Sequence, residues 1–320
     1  MSQSDDIHIT LIGIGTIGLS LAALHLTHLP SPSHLTLVDT RPDLSTYIHA
    51  NLPPLLPAHK RATISISQIN LTTSIATAVS NPHTKIIHES GPENLPFKRS
   101  LWHTVTKHAP PTAILWTSTS GIPASLQASE LSDSDKRRLC VVHPFNPPHI
   151  LPLLEIIPSP HTSADVVAFT MDFWKHARGR QPILVRKEIT GFVAGRLAWA
   201  LLREAIQLVE MGVVGVEELD RVMETSMGPR WAYAGPFKSF HAGGGEGGFE
   251  GLMRNVGGTV QACWDDGGRV NMGGEWEGEV FRRVREVYGV PDLGERDRAN
   301  RRVLEVVEEE KRRGEGRGGC

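Results

Sequence analysis

Cysteine is nearly absent from this chain: Cys140, Cys263 and Cys320 are the only three among 320 residues. Three scattered thiols build neither a disulfide framework nor a thiolate metal site, so the sequence suits a reducing compartment, with the cytosol as the default. Long apolar runs are missing too; nothing approaches the roughly 18 consecutive apolar residues of a membrane span. No charge of one sign dominates. The formal net charge is −2 and no basic stripe with interleaved aromatics occurs, which gives no reason to expect nucleic acid as a partner. The opening MSQSDD is acidic and polar and leads straight into a strand, so neither a secretory nor a mitochondrial presequence is expected. Cys320 stands at the last position rather than four from the end and forms no prenylation box.

What is present is the balance of a globular protein, 40% hydrophobic and 21% charged. A single core stops growing well below 320 residues, so two domains are expected. Most of the 22 prolines lie before residue 161 and most of the 31 glycines after residue 241, so the two ends are built differently. The first part alternates short β-branched runs (IHITLIG, HLTLVD, KIIHES, TAILWTS, LCVVHPF, ILVR) with possible helices, the pattern of a parallel sheet with crossover helices. The fold class is therefore α/β: a Rossmann-type doubly wound sheet over residues 1–188, followed by an all-helical domain over 189–313 and a disordered tail over 314–320. GFVAGRLAWALLREAIQLVEMG opens the helical part with apolar residues at helical spacing. HAGGGEGGFEG, 241–251, is expected as a flexible loop.

The opening IHITLIGIGTIGLSLAALHL reads as a strand, a turn carrying Gly13, Gly15 and Gly18 at GxGxxG spacing, and a helix. Gly13 permits the tight turn, Gly15 lets the backbone approach a pyrophosphate, and Gly18 allows the helix to pack on the strand; Thr16 and Ile17 complete the loop. The phosphates then meet a helix N-terminus, where free N–H groups favour negative charge. Asp39, which ends the run HLTLVD, stands where a ribose 2′-hydroxyl is bound and would repel a 2′-phosphate, so NAD is the expected cofactor rather than NADP. Arg41, two residues on, is the side chain that could favour the phosphorylated form instead.

His143 ends the run LCVVHP, and Glu155 sits within LPLLEII, where apolar neighbours predict burial. A buried charge requires a partner. A histidine oriented by a carboxylate holds one tautomer and tolerates a positive charge, which is what a general base needs. In a nicotinamide enzyme such a base removes the hydroxyl proton as the hydride leaves. The Pro-Phe-Asn-Pro-Pro turn between them stiffens the connection, with Asn146 capping it.

Several ordered motifs, HPFNPPHILPLLEIIPSPHT, TSTSGIPAS, GPEN and GFVAGRLAWALLREAIQLVEMGVV, together resemble the 3-hydroxyacyl-CoA dehydrogenase superfamily. Within it the likeness is to the lambda-crystallin or L-gulonate 3-dehydrogenase branch, which shares the HPxNPP turn and a segment like RWAYAGPF; it covers roughly residues 7–240. The resemblance implies His143 as catalytic base with Glu155 orienting it, Ser120 as a hydrogen-bonding partner of the substrate hydroxyl or carbonyl, and Glu93 as an acid near the nicotinamide. On the substrate side it points to Asn146 and to position 195, where Gly195 replaces the family's asparagine. Arg230, in MGPRWAYAGPF, is the candidate grip for a substrate carboxylate. In relatives that use acyl-CoA, a basic helical pair helps hold the CoA; here only Lys60 and Arg61 remain for that task. Relatives pair through the helical domain, so a homodimer is expected. Three functions stay open: an NAD-dependent oxidoreductase acting on the hydroxyl of a 3-hydroxy acid, 3-hydroxyacyl thioester or related small alcohol; a diverged lyase, isomerase or cyclase motivated by Gly195; and a crystallin-like NAD-binding protein without turnover.

Overall fold

The computed structural model describes residues 7–177 and 179–315. The N-terminal hexapeptide, residues 316–320 of the expected tail and Cys320 lie outside the described residues. Contacts divide the chain into two compact units that meet between Arg196 and Leu197.

The first unit is built on one eight-stranded sheet. Its strands are β1 (His8–Ile12), β2 (Leu35–Val38), β3 (Asn70–Thr72), β4 (Thr84–Glu89), β5 (Ile114–Thr117), β6 (Leu139–Pro144), β7 (Leu153–Pro158) and β8 (Gln181–Leu184), in the order β3-β2-β1-β4-β5-β6-β7-β8. Strands β1 to β6 pair in parallel, β7 runs antiparallel to β6, and β8 follows β7. The strand order reverses between β1 and β4, so the crevice at their carboxyl ends is the ligand position of a doubly wound sheet. Alternation along each strand separates two cores. Ile86, Trp116, Cys140 and Val142 pack on one face, whereas Ile87, Leu115, Leu139 and Val141 pack on the other.

Two strands were not anticipated, β3 and β7, and β7 matters more. Its antiparallel register with β6 sets His143 directly opposite Glu155. Directly opposed residues project to one face with their Cβ atoms about 5 Å apart. Residues separated by twelve positions in sequence thus become neighbours.

The second unit is helical. The helix Val193–Glu210 leads into it, and Val216–Val222, Gly228–Tyr233, Pro236–Gly243, Gly248–Asp266, Trp276–Tyr288 and Leu293–Glu315 follow. Ile206, Val209, Trp276 and Val280 form its buried cluster. The glycine tract 241–251 is not the loop expected of it: one helix ends at Gly243 and a 19-residue helix begins at Gly248. The glycines are used in a tight reversal. A Cβ on Gly244 would fall 1.8 Å from the Gly248 carbonyl oxygen, and Gly248 has φ +57° with the His241 ring against it. The final helix runs to Glu315 and so takes in the first two residues of the expected tail. Among the described residues no helix is long and apolar enough to cross a membrane, and no group of three or more His, Cys, Asp or Glu side chains is arranged to hold a metal ion.

Candidate active site

The turn after β1 forms the first part of the site. Gly13 has φ +86°, and a Cβ there would meet the Gly91 amide nitrogen at 2.8 Å, so the β1 and β4 turns approach closely only because this residue is glycine. A Cβ on Gly18 would lie 1.9 Å from the Gly13 carbonyl oxygen, whereas one on Gly15 would meet nothing within 4 Å. The helix Thr16–Leu26 starts there with no side-chain cap and no acid in its first turn. That N-terminus is open and positively polarised, as an anion site requires. A cavity of about 410 Å³, lined among others by Gly13, Gly15, Asp39, Ser90, Gly91 and Phe97, continues from it.

The Asp39 carboxylate at the far end of this cavity accepts hydrogen bonds from the amides of Ile14 (2.6 Å) and Arg41 (3.0 Å). The Arg41 side chain is engaged elsewhere: its Nε donates to Asp43 at 2.9 Å and its guanidinium lies 3.4 Å over the Tyr47 ring. The polarised helix end, the side-chain-free approach at Gly15 and the anchored acid fit a dinucleotide.

A second cavity of about 420 Å³ is lined by Ile17, Ser118, Ser120, His143, Phe145 and Asn146, together with Pro144. It brings four of the sequence-derived candidates, Ile17, Ser120, His143 and Asn146, around one space. His143 and Glu155 are both buried, and His143 Nδ1 lies 2.8 Å from Glu155 Oε2. The other Glu155 oxygen accepts from the backbone amides of Val193 and Ala194, each at 2.9 Å. Burial pushes the Glu155 carboxyl upward, but the hydrogen bonds from His143, Ala194 and Val193 outweigh it and hold the group below its ordinary value. An ionised Glu155 draws the imidazole proton to Nδ1 and leaves the Nε2 lone pair free to accept a proton.

The local chain explains how those two amides reach the carboxylate. Gly191 (φ +76°) and Phe192 (φ +51°) are successive left-handed residues, and a bulky side chain rarely adopts that conformation. They turn the backbone so that the first amides of the helix Val193–Glu210 aim at Glu155, while the buried Phe192 ring sits 5.4 Å from the imidazole. Such strain is retained where surrounding contacts over-determine it. Gly191 therefore precedes the helix, whereas Gly195 belongs to it, buried in its first turn.

The remaining candidates are distributed differently. Glu93 is spent on the loop that carries Ser120: its Oε1 accepts from the Thr119 hydroxyl (2.5 Å) and from the amides of Ser120 (3.1 Å) and Gly121 (3.0 Å). Thr16 is exposed at the start of its helix. Arg230 belongs to the second unit, exposed on the helix Gly228–Tyr233. Lys60 and Arg61 donate to backbone carbonyls, Lys60 to Thr27 and Arg61 to Leu56 and Pro54.

Sequence reasoning missed a buried ion pair under the dinucleotide turn. Lys98 Nζ lies 2.8 and 2.9 Å from the two oxygens of Glu89, and the carboxylate also accepts from the Thr117 hydroxyl (2.7 Å) and the Gly91 amide (2.6 Å). A signal existed. Positions 98, 101, 102 and 105 form the buried stripe of the helix Leu95–His108, with lysine at its first place.

Residues 8–189 match the family model of the 3-hydroxyacyl-CoA dehydrogenase NAD binding domain, and residues 191–265 match that family's C-terminal domain, so the likeness runs past residue 240 into the glycine-rich helices. A 3-hydroxyacyl-CoA dehydrogenase of Gibberella moniliformis is 39% identical over 183 residues, 57% of this chain but only 56% of that protein's length. An L-carnitine dehydrogenase of Streptomyces coelicolor is 33% identical over 226 residues, 71% of this chain and 70% of that protein. Among solved structures, FHMPC 5-dehydrogenase, an NAD+ dependent dismutase, superposes with TM-score 0.76 over 94% of this chain and 98% of its own; at 24% identity this speaks for the fold alone. The chain belongs to the 3-hydroxyacyl-CoA dehydrogenase family, with its NAD binding domain at residues 8–189 and its C-terminal domain following from residue 191.

Proposed function

We propose that this protein oxidises the hydroxyl of a small 3-hydroxy acid with NAD, or reduces the corresponding ketone. The observation that carries the reading is the His143–Glu155 pair, closed at 2.8 Å across an antiparallel register and opening onto a cavity beside the dinucleotide turn. NAD, when bound, supplies the hydride acceptor. Gly13, Gly15 and the helix N-terminus would hold its pyrophosphate, and Asp39 its ribose hydroxyl. His143 Nε2 takes the hydroxyl proton as the carbon–hydrogen bond gives up its hydride, and the C–O bond becomes a carbonyl. Glu155 fixes the tautomer and offsets the charge that forms on the imidazole. Ser120, on the loop braced by Glu93, donates to the reacting oxygen.

Lys60 and Arg61 favour a free acid over a CoA thioester. Both are occupied by backbone carbonyls, which leaves no basic pair there for a nucleotide phosphate. Arg230 is the proposed partner of the substrate carboxylate. The matched L-carnitine dehydrogenases bring L-carnitine to the head of a substrate panel, with L-gulonate, from the resemblance in sequence, and 3-hydroxybutyrate, a small free 3-hydroxy acid, beside it. NADH formation should be faster with one of these than with 3-hydroxybutyryl-CoA at equal concentration. Binding of NADH without turnover of any of them would overturn the redox reading in favour of lyase- or isomerase-type use of His143. The helical unit is proposed to pair with a second copy: Trp199, Leu202 and Met272 are exposed and line an apolar cleft of about 360 Å³.

The cofactor preference is tested at Asp39. Asn keeps an oxygen for the Ile14 amide and removes the charge. Asp39→Asn should raise the NADPH-to-NADH affinity ratio by about tenfold or more, the scale of one hydrogen bond to a charged group. An unchanged ratio in paired fluorescence titrations would show that Asp39 does not face the ribose.

A further inference from the structure

His88 is a buried histidine that the proposed chemistry leaves unused. It lies on β4, fully buried, on the sheet face opposite His143, with the Trp116 and Trp174 rings 5.6 and 6.0 Å away. Its Nε2 is 2.7 Å from the Ser118 hydroxyl oxygen. Ser118 is the first residue beyond β5 and lines the same cavity as His143, Ser120 and Ile17, the last of these from the dinucleotide-binding helix. Burial in this apolar surround pushes His88 down to about 3, so the ring is neutral at any working pH and carries one N–H.

The position of that N–H follows from what surrounds it. His88 Nδ1 has no hydrogen-bond partner among the described residues. A buried N–H without an acceptor is rarer and costlier than a lone pair without a donor, so the proton belongs on Nε2. Nε2 then donates to Ser118 Oγ. The serine oxygen is satisfied from behind, and its own O–H is released toward the cavity as a donor.

We infer that Ser118 donates a hydrogen bond to the carboxamide oxygen of the nicotinamide, and that His88 is the positioning residue that sets the direction of this donor. The inference rests on the dinucleotide reading and deepens it: it assigns a donor for the nicotinamide end, which Asp39 and the glycine turn do not reach. Because Ile17 of the dinucleotide-binding helix shares this cavity with His143, the part of the cofactor that continues from that helix would enter it beside the substrate at His143.

The test compares NADH with ADP-ribose, which shares everything except the nicotinamide ring, by calorimetric titration of the full-length protein. Ser118→Ala should weaken NADH by roughly 2- to 12-fold, the scale of one neutral hydrogen bond, and leave ADP-ribose unchanged. His88→Leu should reproduce that selective loss, and His88→Gln, whose amide can donate from a similar place, should restore most of it. Equal weakening of both ligands by His88→Leu would make the residue merely structural and overturn the inference. An unchanged NADH-to-ADP-ribose ratio in Ser118→Ala would also overturn it, with the dinucleotide reading intact. Should the wild type bind neither ligand, the dinucleotide reading fails and takes this one with it.

Discussion

Replacing His143 with glutamine should lower kcat by about 10²- to 10⁴-fold, the range supplied by a positioned general base, with the affinity for NADH nearly unchanged. Glutamine is close in size and can still hydrogen-bond Glu155, so the hairpin that carries it should keep its register. What it cannot do is accept a proton and hold it as a cation next to a carboxylate. The expected split is therefore specific: the rate falls while cofactor binding and thermal stability stay close to wild type. The measurement is steady-state turnover at saturating NAD and substrate, with NADH fluorescence titration alongside. A rate loss below about tenfold, or a parallel loss of NADH affinity, would remove His143 from the role of base.

The pair behind this prediction was legible before any coordinates, and the reason is local. Glu155 is a carboxylate inside LPLLEII, and a charge in such a run must be satisfied by something. The strand that carries it was not legible, because a short apolar run after a proline-rich turn looks the same whether it pairs with its predecessor or packs elsewhere. The glycine spacing at 13, 15 and 18 could likewise be read as a turn, since each position answers a separate steric demand. By contrast, the tract 241–251 misled because glycine disfavours helix by about 1 kcal/mol per residue. That preference is overridden where Gly244 and Gly248 permit one helix to fold directly back on the next, with the Phe237 and Phe249 rings 5.9 Å apart across the turn. Phe192 left no trace at all. A left-handed φ is not written in the identity of a phenylalanine; it is imposed by Glu155 capturing the two amides beyond it.

Substituting methionine for Lys98 should destabilise the protein by about 3–5 kcal/mol, because it removes one partner of a buried ion pair and leaves the other in the core. For a domain of this size that corresponds to a fall in Tm of roughly 6–20 °C. Glu89 is fully buried, and burial pushes its carboxyl upward while Lys98, Thr117 and the Gly91 amide pull against that shift. The upward push already prevails with Lys98 in place, and removing Lys98 takes away the strongest pull against it. A carboxyl whose folded pKa exceeds its unfolded value binds more protons in the native state, so stability falls as pH rises from the unfolded value through the folded one. The deficit of Lys98→Met should therefore be largest at neutral pH and shrink as pH is lowered toward 5, which distinguishes a stranded charge from a mere packing defect. Adding Glu89→Gln to Lys98→Met removes the charge altogether and should recover much of the loss. Gly91, bonded to this carboxylate, lines the dinucleotide cavity, so the single variant should also bind NADH more weakly. A Tm deficit independent of pH, or a double variant no more stable than the single one, would show that Lys98 fills space rather than balancing charge.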